Sequence, residues 1–200
     1  MDYLESKETS DYVILEFLRV YVNSTEVLMK SIVSLKSRIS DRGTITVQNE
    51  DGFVGEAGFE WRAPANDIQI NDYETSRSVS LPYSFKEFLK ISNGAVLFKD
   101  TIYGQWGCKI LGVDELNNMA VQVKSWGYEL KPEWIVFATW LGDCDMLVFD
   151  LSKCNSKNND YILDGEQGEK VDDWDIIKGD FAKWIDRLIV SQGAKYWRWH

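Results

Sequence analysis

Histidine and cysteine are scarce in this 200-residue chain. The one histidine is His200, and we expect a side chain at the last position to be too mobile to be held against a nucleophile. This argues against Ser/His/Asp and Cys/His catalysis. The three cysteines, Cys108, Cys144 and Cys154, are an odd number and show no metal-ligand spacing. They are predicted to be reduced, structural thiols, and no metal site is expected.

A long hydrophobic run is also missing. The densest early apolar stretch, residues 12–22, is interrupted by Glu16 and Arg19 and is too short to cross a bilayer. Residues 1–8 are polar and acidic, unlike a signal peptide. We therefore expect a soluble, cytoplasmic protein that has no membrane partner.

Basic residues are too few to balance the acidic ones. Lysine and arginine number 22 against 32 aspartates and glutamates, which gives a net charge of −10, and no basic stripe offsets it. A field of this sign repels nucleic-acid phosphates and anionic lipid surfaces, so neither is an expected partner. A basic protein would instead be attracted.

Few residues are arranged for chemistry. The glycine pair in residues 104–107 is too short and too aromatic for a phosphate loop, and no cofactor is expected. Asp143, Asp145 and Asp150 are the best carboxylate cluster, and such acids could hold Mg²⁺ or act as an acid/base pair. We favour the alternative, a polar turn between two strands, because aspartate is a good turn residue.

Aromatic residues are abundant, and one aromatic stretch carries signals for both the start and the end of a helix. The nine tryptophans allow either a heavy core or a binding face. In residues 81–94, Pro82 suits a first helical turn, Ser84 with Glu87 predicts a capping box, and Asn93-Gly94 predicts a left-handed stop. Apolar residues at i, i+3 and i+4 form one stripe, and a strand is predicted from residue 95. The stripe consists of Phe85, Phe88 and Leu89.

The remaining pattern predicts one α+β domain, with a mainly antiparallel or mixed central sheet flanked by N- and C-terminal helices. A helix in two pieces is predicted over residues 11–41, with a strand as the alternative for the densely apolar residues 12–22. Further helices are predicted over 66–76 and 180–193, and a helical turn over 114–119 with Asp114 as its N-cap. Strands are predicted at 44–48, at 53–54 as the return of a hairpin, and at 96–98, 101–103, 108–111, 134–138, 146–150 and 161–163, the last at an edge.

Three short motifs resemble the SUKH superfamily. They are Leu81-Pro82 with its aromatic helix and Asn93-Gly94, the acidic step Asp114-Glu115-Leu116 after a strand, and Gly193-Ala194-Lys195-Tyr196-Trp197. The resemblance covers residues 61–197, which indicates a SUKH-like α+β domain at 61–200 and a helical and hairpin extension at 1–60 packed on it. It implies a bacterial immunity protein without catalytic residues that neutralises a cognate toxin by stoichiometric binding. The alternative is an intracellular regulatory or scaffold protein, as in the yeast cell-wall-assembly members.

The densest acidic stretch is the best candidate for a partner surface. Residues 164–175 carry six carboxylates against one lysine. They read either as a solvated loop or as a surface that meets a cationic patch, where charge steers association and an aromatic residue anchors it. The candidate partner-binding residues are Glu166, Glu169, Asp172, Asp173, Trp174 and Trp106. The expected partner is a cognate toxin with a basic surface. The charge of this chain, together with the nuclease activity of many toxins that such a family opposes, suggests a nuclease. We expect a monomer or weak dimer.

Overall fold

Eight β-strands form one sheet in the computed structural model, which describes residues 24–49, 52–154 and 159–199. Strand order in the sheet equals chain order, and every strand pairs antiparallel with its neighbours in sequence. The strands are β1 (Thr44–Gln48), β2 (Val54–Trp61), β3 (Ala95–Asp100), β4 (Cys108–Ile110), β5 (Trp134–Trp140), β6 (Met146–Asp150), β7 (Ile162–Gly165) and β8 (Asp175–Ile177). The predicted α+β class is confirmed.

Five helices flank the sheet in the part of the chain that the structure describes. They are α1 (24–38), α2 (Asp67–Arg77), α3 (Tyr83–Ile91), α4 (Leu116–Ser125) and α5 (Phe181–Val190). Two single 3₁₀ turns follow β7 and α5, at Val171–Asp173 and Tyr196–Arg198. No helix in the described ranges has the length and apolar character needed to span a membrane.

One sheet face is covered by α3 and α5, which meet over an aromatic core. Phe85 on α3 packs edge-on against Phe149 of β6 and Phe181 of α5, with ring centroids 5.1 and 5.2 Å away. Phe137 of β5 stacks on Phe149 at 3.8 Å, and Trp184 meets Phe137 edge-on. Asp180 caps α5 by accepting the Lys183 N–H, as predicted. The i, i+3, i+4 stripes of both helices therefore form the centre of the core.

On the opposite face of the sheet, aromatic side chains pack beside α4. Trp134 at the start of β5 stacks on Trp174 with centroids 6.0 Å apart, and Tyr128 lies 5.7 Å from Trp174. Since both faces of β5 and β6 are covered, these strands are continuous apolar runs rather than alternating ones.

The meander brings alternate connections to the same end of the sheet. The connections β1–β2, β3–β4, β5–β6 and β7–β8 all leave from one end, because each strand reverses the direction of the last. The opposite end carries α2, α3 and α4 in its connections. We call the first of these the loop end; its described residues are 49, 52–53, 101–107, 141–145 and 166–174.

Several local predictions are wrong for identifiable reasons. The Ser84–Glu87 capping box does not form: α3 has no side-chain cap, and Ser84 is buried beside the Tyr161 hydroxyl. Asn93-Gly94 does not end α3, which closes at Ser92 in an extended conformation. Gly94 has φ +90°, and an added Cβ would lie 2.7 Å from the Gly112 nitrogen, so a larger residue would not fit there. That glycine therefore permits the turn into β3.

Two further predictions fail through side-chain hydrogen bonds. The strand predicted at 101–103 is a turn, because the Asp100 carboxylate accepts the Ile102 and Tyr103 N–H groups. Asp114 does not cap α4: its carboxylate pairs with Arg62 at 2.6 Å, and the helix runs on to Ser125. The prediction that β7 is an edge strand is also wrong, since β8 pairs with it.

The N-terminal residues join the same sheet. In the described part, β1 and β2 pair with each other and β2 pairs with β3. The Ser31 hydroxyl of α1 donates to Asp186 of α5. The helix predicted N-terminal to residue 24 lies outside the described residues, and the division at residue 60 stays a prediction.

Candidate functional site

Hydrogen bonds join the connections of the loop end into one surface. The Thr101 hydroxyl donates to the Glu56 carbonyl at 3.1 Å, and the Leu141 N–H donates to the Gly107 carbonyl at 2.9 Å. The Gln167 N–H donates to Asp145 Oδ1 at 2.9 Å. These bonds link β2 to the β3–β4 turn, that turn to the β5–β6 turn, and the β5–β6 turn to the β7–β8 connection.

The β7–β8 connection forms the acidic half of this surface. Glu166, Glu169, Asp172 and Asp173 are all exposed there, as a partner-binding role requires. The connection is held in place because the Gly168 N–H donates to the Tyr128 hydroxyl at 2.9 Å and residues 171–173 form a 3₁₀ turn. Within the described ranges, no lysine or arginine forms an ion pair with Glu169, Asp172 or Asp173.

The two predicted aromatic residues lie at the same end but are not exposed anchors. Trp174 is only 7% exposed and is committed to its stack on Trp134. Trp106 is half-buried in the β3–β4 turn, where its carbonyl accepts the Asp100 N–H at 2.8 Å. All six predicted residues thus belong to connections of the loop end, although the β7–β8 connection also reaches back to Tyr128 and to Trp134 at the start of β5. Their role in binding stays a prediction.

A C-terminal clasp neutralises the other carboxylates of the loop end. This clasp, residues 195–198, places Lys195 Nζ against Asp145 Oδ2 and 3.1 Å from Asp143 Oδ2. Arg198 binds Asp164 with two nitrogens and lies 2.9 Å from Asp145. Spacing along the chain gave no signal for this cluster, because its basic and acidic members are about 30 to 50 residues apart.

This arrangement bears on the carboxylate cluster suggested by the sequence. Asp145 is buried, and Asp143 Oδ1 accepts the Asp145 N–H at 2.9 Å. Both side chains therefore converge on Lys195 and the backbone rather than on an open pocket. In the described ranges, no group of three or more His, Cys, Asp or Glu side chains is arranged to hold a metal ion. The contacts favour a structural role for Asp143 and Asp145.

The electrostatics of the clasp stabilise the ionised forms. Burial by itself raises the pKa of Asp145, but the Gln167 N–H, Lys195 and Arg198 together outweigh it and hold the pKa below its ordinary value. The pKa of Arg198 is raised, chiefly by its hydrogen bonds to Asp164. Asp145 and Arg198 therefore both stay charged at neutral pH.

The other half of the loop end is apolar and exposed, and sequence analysis assigned it no role. Four side chains at the tips of the β1–β2 and β3–β4 hairpins are largely in solvent: Phe53 (61%), Val54 (60%), Ile102 (73%) and Tyr103 (78%). We call them the hairpin-tip patch. Sequence reasoning assigned the last two to a strand, and the missed signal was Asp100, a residue that favours turns by binding backbone N–H groups two and three positions on.

Comparison with known proteins identifies the family. A family model described as the SMI1 / KNR4 family (SUKH-1) matches residues 64–187, which include β3 to β8. The chain belongs to this family. The predicted SUKH relationship is therefore confirmed, and three of the four loop-end connections lie within the matched region. The β1–β2 hairpin precedes it.

Two Bacillus subtilis (strain 168) proteins are similar to this SUKH-1 chain. The uncharacterized protein YobM is 24% identical over 188 residues, which are 88% of this chain and 93% of YobM. The uncharacterized protein YnaB is 30% identical over 146 residues, which are 71% of this chain and 88% of YnaB. Their names state no activity, so these two relatives suggest no particular function for this chain.

Proposed function

We propose that this protein is a cytoplasmic immunity protein that binds a cognate bacterial toxin domain and blocks it by stoichiometric occlusion. The family supports this proposal, since SUKH members are generally immunity proteins rather than enzymes. The observation that indicates which surface binds the toxin is the row of unpaired carboxylates on the acidic half of the loop end.

The contrast between paired and unpaired carboxylates supports this choice of surface. Asp143, Asp145 and Asp164 are neutralised by the clasp, whereas Glu169, Asp172 and Asp173 keep their negative charge facing solvent. Unpaired negative charge on a hydrogen-bonded loop lowers the stability of the fold through self-repulsion. The same charge becomes favourable when a basic partner docks against it. We therefore assign the partner contact to Glu169, Asp172 and Asp173. Glu166 lies at the margin of this contact, because its carboxylate is 3.4 Å from Arg198.

The sign of this surface favours a toxin with a basic active site. Enzymes that cleave nucleic acids need basic surfaces to hold phosphates. A net charge of −10 with an exposed acidic loop would occupy such a site in place of the substrate. The partner we propose is accordingly a toxin of the nuclease class, inhibited without any chemical step on the part of this chain.

Co-expression with the toxin encoded beside the gene tests the proposal. Rescue of growth, together with a 1:1 complex in size-exclusion chromatography with light scattering, is the expected result. A catalytically inactive toxin variant serves as the control for toxicity. Toxicity without rescue and without a complex would refute the immunity role and favour a regulatory or scaffold protein.

A further inference from the structure

The hairpin-tip patch is built as one unit although its residues come from two hairpins. Ala57 of β2 pairs with Asp100 of β3, so the following residues of β3–β4 run back beside the start of β2. The Thr101 hydroxyl bonds the Glu56 carbonyl at this point. The Phe53 ring lies over Gly55, where an added Cβ would come 3.0 Å from it. Both tips therefore present their apolar side chains at the same corner of the loop end.

Local backbone features hold the β3–β4 tip in one conformation. Asp100 accepts the Ile102 and Tyr103 N–H groups at 2.9 and 3.0 Å, which fixes the turn. Just before it, Phe98 is buried with φ +56°, a conformation that bulky residues rarely adopt, at a bulge between β2 and β3. Its ring packs edge-on against Phe59 at 5.1 Å. Such bulges re-aim the residues that follow, here towards solvent.

A held, exposed apolar tip is suited to anchoring a partner. Because the backbone of the turn is already fixed, binding costs only the rotamer freedom of the side chains, and more of the burial counts towards affinity. Contiguous exposed apolar patches that are rimmed by polar groups are often interaction sites.

The charge around the hairpin-tip patch favours one class of binding partner. The patch adjoins Glu56 and Asp100, and within the described ranges neither carboxylate forms an ion pair with a lysine or arginine. It is also continuous with the acidic half through the β5–β6 turn, where Gly142 meets Gln105. A second copy of this chain would bring two such acidic rims and two charges of −10 together. A cationic protein meets complementary charge instead.

We infer that the hairpin-tip patch is the anchor of the toxin interface: it inserts Ile102 and Tyr103 into an apolar pocket beside the cationic surface of the partner. This inference rests on the proposed function and adds a division of labour within it. The acidic half steers the approach of the toxin, and the patch holds the toxin once it is bound.

Binding kinetics separate the two halves. The probe is the catalytically inactive toxin domain encoded beside the gene, and the test variant is Ile102→Ser/Tyr103→Ser. Loss of an interface anchor acts mainly on dissociation, so we expect dissociation to accelerate by about tenfold or more. The slope of the association rate against salt should stay as in the wild type, because no charge has changed.

The matched controls are Ile68→Ser and Val121→Ser, which remove equally exposed apolar side chains from α2 and α4. They should bind as the wild type does, and thermal unfolding should show that all variants are folded. If the wild type binds and the test variant dissociates no faster than the controls, the inference is wrong and the proposed function stands.

Two further outcomes also test the inference. If the wild type does not bind the toxin domain, the proposed function and the inference fall together. Sedimentation of the free protein tests the competing occupant. A dimer that the Ile102→Ser/Tyr103→Ser variant abolishes would assign the patch to a second copy of the chain and overturn the inference.

Discussion

Arg198 grips both carboxylate oxygens of Asp164, with Nε 2.6 Å from Oδ2 and Nη2 2.9 Å from Oδ1. The Trp197 indole N–H donates to the same Oδ2 at 2.7 Å. This paired, planar geometry is specific to arginine. It fastens the end of the described chain to β7, and it separates Asp164 from the acids of the β7–β8 connection that have no ion pair among the described residues.

Removing the guanidinium should destabilise the fold. Arg198→Ala leaves Asp164 buried without its cation, and we expect a loss of about 2 kcal/mol in the free energy of unfolding. Arg198→Lys should recover only part of it, because lysine cannot bind both oxygens. Urea denaturation measures both. Lys30→Ala, which removes an exposed pair with Glu26, is the control and should leave the midpoint unchanged. Equal midpoints for Arg198→Ala and the control would contradict the clasp.

The clasp should also shape the acid limb of the stability curve. The pKa of Asp145 is lower in the folded protein than its ordinary value of 3.8. Its contribution is therefore fully present above that value and is lost as the pH falls through the folded pKa. In Asp145→Asn, stability at neutral pH should be lower, and the decline below about pH 4 should be shallower than in the wild type. Urea midpoints from pH 2 to 7 would show this, and parallel curves would rule it out.

Charge reversal tests the acidic half. Glu169→Lys/Asp172→Lys should slow association with the toxin domain about tenfold at low salt and flatten its salt dependence, since steering charges act on the encounter rate. Glu166 is left intact because its carboxylate lies 3.4 Å from Arg198. Asp41→Lys/Asp72→Lys changes the net charge equally at exposed positions away from the loop end. If both variants associate at the same rate, the acidic half is not the steering surface.

The aromatic core gives a prediction that is independent of function. Phe88→Ala and Trp184→Ala should each cost about 3–5 kcal/mol of stability, because each deletes a fully buried ring and leaves a cavity. Trp126→Ala, at a partly exposed position, is the comparison and should cost much less. Chemical denaturation checks all three. A near-zero change at Phe88 or Trp184 would mean that the core lies elsewhere.

The cysteines offer a footprint of the loop end. Burial raises the pKa of Cys108 and raises that of Cys154 to about 12, so both are almost entirely protonated at pH 8. Cys144 lies half-buried in the β5–β6 turn. A thiol reagent should therefore modify Cys144 first, and a bound toxin domain should protect it. Mass spectrometry of the modified protein tests the order, and a Cys108 that reacts as fast as Cys144 would contradict the buried placement.

The parts that the sequence predicted well are those with strong periodicity. The stripes of α3 and α5 repeat at helical spacing, and the apolar runs of β5 and β6 are continuous, so both patterns indicate burial. The failures came from side chains that bind backbone or distant partners. The Asp100 carboxylate makes a hairpin tip of an apparent strand. Asp114 pairs with Arg62, which lies 52 positions earlier in the chain.

The candidate site was predictable only in its acidic half. Residues 166–173 stand out by charge density in one continuous stretch. The exposure of Ile102 and Tyr103 was not predictable, because an apolar residue in a short run looks the same whether it faces a core or solvent. Nor did composition distinguish Glu169, which stays unpaired, from Asp164, which the clasp neutralises.

The meander has a consequence for how such proteins diversify. A sheet whose strands follow chain order gains or loses a hairpin at its margin without rethreading any other strand. The β1–β2 hairpin sits at such a margin, ahead of the region that the family model matches. Its tip nonetheless adds Phe53 and Val54 to the loop end. The hairpin thereby enlarges the loop end, while the six strands inside the matched region keep their order.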